Sequence, residues 1–494
     1  MNTKVAFILF TLCMVVYICT DVGTVNSPDS EIVFRQAESL ALTGSLIVHP
    51  LENWKHFGVA RGKDDRLYPV FGIGEALALV PLIKVITYFD LPHHIDLTPF
   101  MAAKETSTIL RFYGSLLNIL ITALSVVILF QILISLGLSR FISASVVLLY
   151  AFGTLAWSYA NTYFSEPLAI FFLLLGFWLL ILRESKRNLV LFFLSGLCVG
   201  LAASAHITAI LFFPFYLMYA VLQIVFNDDH SKQKPVLSQI VVHCASLCIG
   251  FFVIAGLIGY YNFYRFGSIF ETGRTIDPFG HLKFDYGKPV WPFTGIYGLL
   301  LSGYKSLFCF CPLMLFSIFC WPSLHQKRRS LSWTLILLCV FRLFFIASRS
   351  DWHGGASLGP RYLLMMISFM MIPIGFWLQQ SKSKTSHIFF LVLSAVVVGQ
   401  QLYFSLGDIF HFRVPQNMQL SAAYVDSSYL RWQGSPLFFL HEGEIGPFML
   451  RVWMTQYSLG LWFALSVISG LAMIFIQHYL ITSGRNQPAT ATFK

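Results

Sequence analysis

Residues 5–19 read VAFILFTLCMVVYIC, and residues 24–31, which follow shortly after, read TVNSPDSE. Taken as residues 4–20, the first stretch is long enough to span a membrane, because a spanning helix needs about 17 to 25 mostly apolar residues. If it spans, the carboxylates of Asp29 and Glu31 lie where the chain emerges from the bilayer. Acidic side chains in that position are available for chemistry at the lipid surface.

The composition of the whole chain indicates a polytopic membrane protein. Of its 494 residues, 56% are hydrophobic and only 11% are charged, and the mean hydropathy is +0.70. A soluble domain carries about 25% charged residues. We therefore predict an all-α fold in which residues 1–494 form one integral-membrane domain. About twelve apolar segments have spanning length, over residues 4–20, 109–136, 139–158, 165–182, 188–204, 206–226, 238–260, 304–321, 331–347, 361–379, 386–404 and 452–480.

The basic residues predict the orientation, because Lys and Arg in short loops stay on the cytoplasmic side during insertion. With the N-terminus inside, the cytoplasmic segments hold 14 basic residues against three acidic ones, Glu184, Asp228 and Asp229. The basic residues are Lys4, Arg140, Arg183, Lys186, Arg187, Lys232, Lys234, Lys327, Arg328, Arg329, Lys382, Lys384, Arg485 and Lys494.

This topology places both termini in the cytoplasm and every long loop outside, namely residues 21–108, 261–303, 348–360 and 405–451. We expect a multi-pass protein of the cell (inner) membrane whose active site faces the periplasm or the exterior. The net charge of +10 is then a topological bias. It is not the basic surface of a nucleic-acid-binding protein, so no nucleic acid partner is expected.

Two helices are predicted in the first outer loop. The first is predicted to lie on the membrane surface and to stop at Gly44, because apolar residues recur at helical spacing on one of its sides. The apolar residues are Ile32, Phe34, Ala37, Leu40 and Leu42, whereas Arg35, Gln36 and Glu38 fall elsewhere. The second run, Ala76 to Phe89, is short and carries Pro81 and Lys84. It is predicted to be interfacial or half-embedded, because crossing would break the charge alternation.

Several short motifs occur in a fixed order along most of the chain. They are DSE at 29–31, LYPVFGIG at 67–74, GTLAW at 153–157, FSEPL at 164–168, YRFGS at 264–268, KSLF at 305–308 followed by Pro312, and WHGGASLGPRY at 352–362. In their order and spacing they resemble the GT-C superfamily of integral-membrane glycosyltransferases. The resemblance is to the prokaryotic branch related to protein O-mannosyltransferases and aminoarabinose transferases.

This resemblance implies transfer of a sugar from a polyprenyl-phosphate donor to an acceptor hydroxyl at the outer membrane face, with inversion at the anomeric carbon. It implies a lipid-linked sugar donor and membrane lipids as partners, with an acceptor that is a glycan, a lipid or a protein. An inverting transfer needs a base, and the family-matched candidate is Asp29. The alternative is that Ser27, Pro28 and Asp29 only begin the surface helix.

Glu31 is a second candidate for the catalytic site, either as a like charge beside Asp29 or as a group that holds the acceptor hydroxyl. The alternative for Glu31 is a solvated carboxylate on the helix face. We expect no cofactor and no required metal, although a divalent cation on Asp29 and Glu31 stays open. His93, His94 and Asp96 lack the spacing of a metal site, and the nine cysteines form no paired framework for disulfides or zinc.

The departing lipid phosphate must be met by fixed cations. Lys305 and Arg361 lie at outer ends of predicted helices and are candidate phosphate ligands; the alternative for both is snorkelling toward lipid headgroups. Arg342 lies deeper, where it could reach the same phosphate or pair with Glu166.

Three further residues are predicted to bind substrate. Glu166 begins a predicted helix, so a capping role competes with a role in the site. His353 could contact the donor, or lie in an interfacial aromatic belt. Tyr68 belongs to the tyrosine- and glycine-rich motif. In the outer loops, an aromatic ring of Trp54, Trp291, Trp352 or Trp432 could stack on a sugar.

A flippase or transporter of lipid-linked sugars is the alternative function, since about twelve helices suit many transporters. A membrane scaffold that binds lipid phosphate without catalysis is a third class. We find no internal repeat, and the charges gather near the outer helix ends, which favours the enzyme.

Overall fold

The computed structural model describes residues 2–21, 23, 27–51, 57–89, 106–182, 188–225, 237–276, 288–355, 357–406 and 430. Within these residues nearly all regular structure is helical. The helices are α1 (Asn2–Cys19), α2 (Pro28–Thr43), α3 (Ile73–Tyr88), α4 (Thr106–Ser135), α5 (Arg140–Gly153), α6 (Ala156–Ala160), α7 (Glu166–Leu182), α8 (Leu189–Ala205), α9 (Phe213–Val225), α10 (Leu237–Phe266), α11 (Pro292–Leu301), α12 (Leu307–Phe310), α13 (Pro312–Lys327), α14 (Arg329–Ala347), α15 (Leu364–Gln380) and α16 (Lys384–Leu406). Short 3₁₀ helices, Ile207–Phe212 and Arg361–Leu363, lead into α9 and α15.

The helices confirm an all-α integral membrane protein. Six helical stretches among the described residues are long and apolar enough to span a bilayer, and five shorter apolar helices accompany them. Eleven of the predicted segments coincide with helices. The last predicted segment, 452–480, lies outside the described residues.

Two predicted segments are interrupted. The segment 139–158 breaks between α5 and α6 at Thr154, whose hydroxyl donates to the carbonyl of Tyr150 at 2.6 Å. The segment 304–321 breaks at Cys311, just before Pro312, which begins α13. Proline cannot donate the backbone hydrogen bond that a continuous helix needs at that position. The predicted outer loop 261–303 also contains α11, an apolar helix that the sequence analysis did not predict.

The loop that follows α1, predicted to lie outside, folds into a small platform of α2, α3 and a hairpin. Helix α2 begins after Ser27 and ends at Gly44, and its face packs on α3 and Tyr163. The predicted apolar face is partly wrong, because Leu42 is exposed and Gln36 is buried. The Gln36 side-chain Nε2 donates to the Tyr261 hydroxyl at 2.6 Å, which compensates the burial of the amide nitrogen.

The hairpin pairs β1 (Val59–Arg61) with β2 (Leu67–Pro69) in antiparallel register. It lies in a polar stretch for which we predicted no strands. The backbone N–H of Lys63 donates to the carbonyl of Arg265 at 2.9 Å, which ties the hairpin to the end of α10.

Several helix ends meet at one end of the bundle. The charge pattern predicts that these ends lie on the same side of the membrane. The Trp157 indole donates to the Thr20 hydroxyl at 2.9 Å, and the Tyr159 hydroxyl donates to the carbonyl of Leu358 at 2.8 Å. We call this end of the bundle, which carries α2 and the hairpin, the platform end. The predicted site residues lie in segments that reach this end.

Candidate functional site

The start of α2 positions Asp29 at the platform end. The Ser27 hydroxyl caps the helix by accepting from the backbone N–H of Ser30 at 3.2 Å, and Pro28 occupies the first turn. A capping serine and a first-turn proline are both common at helix N-termini. Since Ser27 caps the helix, the Asp29 side chain is directed to another partner.

That partner is Arg361, in the turn that leads into α15. Asp29 Oδ2 accepts from Arg361 Nη1 at 3.0 Å. The Arg361 side chain is 9% exposed, and that of Asp29 is 25% exposed. A buried guanidinium therefore meets a carboxylate that is still accessible.

Glu166 lies on another side of the same guanidinium. Its Oε1 is 3.3 Å from Arg361 Nε, and its side chain is 2% exposed. This contact is electrostatic, because no described residue offers Arg361 Nε an aligned hydrogen-bond acceptor. The guanidinium carbon lies 4.3 Å from the ring centroid of Phe164, which adds a cation–π contact. Glu166 is the first residue of α7, as predicted. It therefore stands at a helix start and also contacts Arg361.

A second layer of polar contacts fixes the turn around Arg361. Glu166 Oε1 is 3.6 Å from His206 Nε2, and His206 Nδ1 is 2.9 Å from the Thr208 hydroxyl. Arg342 donates to the Thr208 carbonyl and hydroxyl at 3.1 Å each, and to the carbonyl of Tyr362 at 3.0 and 2.7 Å. Arg342 thus holds the residue next to Arg361 in place.

Lys305 is also at the platform end, but its donors are used by a loop. Its side chain is 1% exposed, and its Nζ donates to the carbonyls of Gly355 and Ser357 at 2.7 and 2.5 Å and to the Ser357 hydroxyl at 3.2 Å. Gly354 and Gly355 have φ values of 70° and 72°, which glycine adopts at low cost. Lys305 therefore fixes the glycine turn that precedes Arg361.

His353 belongs to the same turn, and its Nδ1 accepts from the backbone N–H of Gly355 at 2.9 Å. Burial, and then the nearby Lys305 ammonium, lower the pKa of His353 to about 3. The imidazole is neutral near pH 7 and carries its proton on Nε2, because Nδ1 acts as the acceptor.

Glu31 and Tyr68 have other partners. Glu31 accepts from Arg35 at 2.8 Å and from Arg111 Nη2 at 2.7 Å. Burial raises the pKa of Glu31, but the hydrogen bonds from the two arginines outweigh burial and lower it overall. Tyr68 is buried in the hairpin and donates to Asp64 Oδ2 at 2.7 Å.

Glu75 is a residue of this region that the sequence analysis did not single out. It is 1% exposed, and its Oε2 is buried with no hydrogen-bond partner among the described residues. Burial, and then the nearby Glu166 carboxylate, raise the pKa of Glu75 well above its usual value. The sequence signal that could have found Glu75 and His206 is a single titratable side chain within otherwise apolar helical sequence.

The glycines before Glu75 explain how it reaches this position. A Cβ on Gly72 would lie 2.3 Å from the carbonyl oxygen of Ser204, and one on Gly74 would lie 2.6 Å from the backbone nitrogen of Ala205. The start of α3 therefore touches the end of α8 directly.

The tryptophans and the histidine pair named from the sequence have different positions. Trp352 is 1% exposed, and Trp291 is 74% exposed. Trp54, Trp432 and the cluster His93, His94 and Asp96 lie outside the described residues. Within the residues that the structure does describe, no group of three or more His, Cys, Asp or Glu side chains could hold a metal ion.

Comparison with solved structures identifies the fold. The chain is similar to ArnT from Cupriavidus metallidurans in the apo state, with a TM-score of 0.50 and 12% identity over 86% of this chain and 70% of that one. ArnT bound to undecaprenyl phosphate matches with a TM-score of 0.44 and 12% identity over 90% of this chain and 77% of that one.

The oligosaccharyltransferase of Archaeoglobus fulgidus in the apo form matches with a TM-score of 0.46 and 11% identity over 88% of this chain. The chain spans 60% of the length of that enzyme. No protein-family model matches the sequence, and neither does any curated protein. The likeness to apo ArnT shows a shared fold, and the GT-C resemblance is confirmed at that level.

Proposed function

We propose that this protein is an inverting glycosyltransferase that moves a sugar from a polyprenyl-phosphate donor to an acceptor hydroxyl at the outer face of the membrane. The observation that carries the proposal is the contact between the accessible Asp29 carboxylate and the buried Arg361 guanidinium at 3.0 Å. A base and a phosphate-binding cation are the two groups that such a transfer needs. They stand side by side at one end of a membrane-embedded helical bundle.

Asp29 is the base of the proposed reaction. The acceptor hydroxyl loses its proton to the Asp29 carboxylate while its oxygen forms a bond to the anomeric carbon of the sugar. The bond between that carbon and the phosphate oxygen breaks, and its electron pair leaves with the lipid phosphate. Attack from the face opposite the leaving group inverts the anomeric configuration.

Arg361 receives the negative charge that develops on the departing phosphate. Guanidinium groups suit this role because they present several N–H donors in a fixed plane and stay charged when buried. Glu166 and Arg342 hold the guanidinium and its turn in position, so the cation need not reorganise during the reaction.

His353 and Lys305 shape the donor side of the proposed site. The neutral His353 ring is a hydrogen-bond donor through Nε2, suited to a sugar hydroxyl or a phosphoryl oxygen. Lys305 supports the turn that carries His353 and Arg361. Direct contact between Lys305 and the phosphate stays a prediction.

Glu31 supports the reaction indirectly. Its ion pair with Arg111 anchors the first turn of α2, which carries Asp29, on α4, and its ion pair with Arg35 lies within α2. Tyr68 belongs to the hairpin beside the site, and its contact with substrate stays a prediction.

The proposed partners are a lipid-linked sugar and membrane lipids, with a glycan, lipid or protein acceptor. We propose no cofactor, and we propose that the protein lies in the cell (inner) membrane with both termini cytoplasmic.

The test uses the purified full chain in lipid nanodiscs, supplied with a panel of undecaprenyl-phosphate-linked monosaccharides and acceptor extracts. Release of undecaprenyl phosphate and formation of a glycosylated product are followed by mass spectrometry. Asp29→Asn is expected to lower transfer by at least about a hundredfold, the usual contribution of a general base. It should retain donor binding. Full activity in Asp29→Asn would remove Asp29 as the base. In sealed proteoliposomes, movement of intact donor across the bilayer without product would favour the flippase.

A further inference from the structure

The donor side of Arg361 is already occupied by an anion of this chain. Arg361 Nη1 donates to Asp29 Oδ2 at 3.0 Å, and Arg361 Nε faces Glu166 Oε1 at 3.3 Å. The guanidinium thus lies between two carboxylates. A lipid phosphate that reaches Arg361 must displace one of them or share the cation with it.

The two carboxylates differ in how readily they can be displaced. The Glu166 side chain is 2% exposed and also contacts His206. The Asp29 side chain is 25% exposed. Because Asp29 is the more exposed of the two partners, it is the one that an incoming anion meets.

The surroundings allow Asp29 to leave without moving its helix. Helix α2 is fixed by its Ser27 cap and by the ion pair between Glu31 and Arg111. Arg361 is fixed by the stacked Phe164 ring and by its contact with Glu166. Exchange therefore needs only a rotation of the Asp29 side chain, while Arg361 stays in place.

We propose that the Asp29 carboxylate occupies the position of the donor phosphate on Arg361, and that the donor phosphate displaces it on binding. This inference deepens the proposed function and rests on it. The donor phosphate is a diester and carries one negative charge, as a carboxylate does, but its two free oxygens can accept from two N–H groups of the planar guanidinium. Among the contacts of the described residues, Arg361 donates to Asp29 only at Oδ2.

This exchange couples the two halves of the reaction. While no donor is bound, Asp29 Oδ2 is engaged by Arg361, so this oxygen does not serve an acceptor hydroxyl. When the phosphate takes the guanidinium, the carboxylate is released a few ångströms away, next to the anomeric carbon that the phosphate carries. The base is thus freed only at a site that already contains donor.

The experiment measures the affinity of undecaprenyl phosphate for the purified full chain in nanodiscs, by native mass spectrometry or by competition with a fluorescent lipid phosphate. Removing a competing carboxylate should tighten binding, so Asp29→Asn and Asp29→Ala are each expected to lower the Kd by about tenfold. Asp29→Glu retains the carboxylate and should bind nearly as the wild type does.

The matched control is Glu38→Gln, which removes the same charge from the same helix. The charged neighbours of Glu38 are Arg111, Glu31 and Arg35, so its Kd should stay unchanged. An equal decrease in this variant would assign the effect to net charge and overturn the exchange. Unchanged or weaker binding in both Asp29→Asn and Asp29→Ala would also overturn it.

The same measurement separates this inference from the proposed function. If the wild-type protein binds undecaprenyl phosphate no better than undecaprenol, it has no lipid-phosphate site, and the proposed function fails together with the exchange. If the wild type prefers the phosphate but Asp29→Asn does not bind it more tightly, only the exchange fails.

Discussion

Lys305 Nζ donates to the carbonyl oxygen of Gly355 at 2.7 Å, so a lysine that is 1% exposed is solvated by a glycine turn. The carbonyl and hydroxyl of Ser357 complete this solvation. A buried ammonium is costly unless its donors are used. Here the acceptors that satisfy Lys305 belong to the turn that presents His353 and Arg361.

Replacing Lys305 by methionine tests this role. Lys305→Met leaves the Gly355 and Ser357 carbonyls without this donor, and each buried unsatisfied acceptor costs about 1–3 kcal/mol. We expect the free energy of unfolding to fall by about 3 kcal/mol, measured by reversible unfolding in mixed micelles. Unchanged stability together with lost affinity for undecaprenyl phosphate would instead make Lys305 the direct phosphate ligand that the sequence predicted.

Arg361→Met is expected to lose both lipid-phosphate binding and stability. It leaves the buried Glu166 carboxylate without this cation, and breaking a buried ion pair costs about 3–5 kcal/mol. The double variant Arg361→Met/Glu166→Gln removes the remaining charge, so it should regain most of the stability without regaining phosphate binding. Thermal unfolding and lipid-phosphate affinity, measured on both variants, separate the two effects. Recovery of binding in the double variant would show that Arg361 is structural.

Gly72→Ala is expected to separate α3 from α8. The new Cβ would lie 2.3 Å from the carbonyl oxygen of Ser204 and 2.7 Å from that of Ala205. Because both oxygens belong to the backbone, they cannot turn away, and the two helices must move apart. Overpacking of this kind costs about 1–3 kcal/mol. Gly256→Ala in α10 is the control, because its Cβ would meet nothing within 4 Å; it should be neutral or slightly stabilising. Equal melting temperatures for the two variants would contradict the direct contact.

The ion pairs of Glu31 predict how stability depends on pH. The folded state lowers the pKa of Glu31 below its usual 4.5. The unfolded state then binds the proton more readily, so the contribution is fully present above pH 4.5 and is lost as the pH falls through the folded pKa. Wild type and Glu31→Gln should differ in melting temperature at pH 6, and the difference should shrink below about pH 4.5. A difference that stays constant on acidification would rule out this contribution of Glu31.

Much of the fold follows from local sequence. Apolar runs of spanning length predict helices wherever the structure describes them, because a helix satisfies its own backbone in lipid. The helical spacing of apolar residues predicted α2, and Gly44 predicted where this helix ends. The hairpin, α11 and the break at Thr154 were not predicted, since they depend on short polar or apolar stretches whose conformation is set by the elements that they contact.

The site was only partly predictable. The sequence by itself determined which charged residues stand at helix ends, and it singled out Asp29, Glu166 and Arg361 from their motifs. Only the tertiary structure decided that Asp29 and Arg361, 332 positions apart, share an ion pair, that Glu166 faces the same guanidinium, and that Lys305 serves a turn. Helical periodicity is encoded within a few residues, whereas such pairings arise from how distant helices pack. A charged side chain that this packing buries needs a partner of opposite charge or a hydrogen-bond partner nearby.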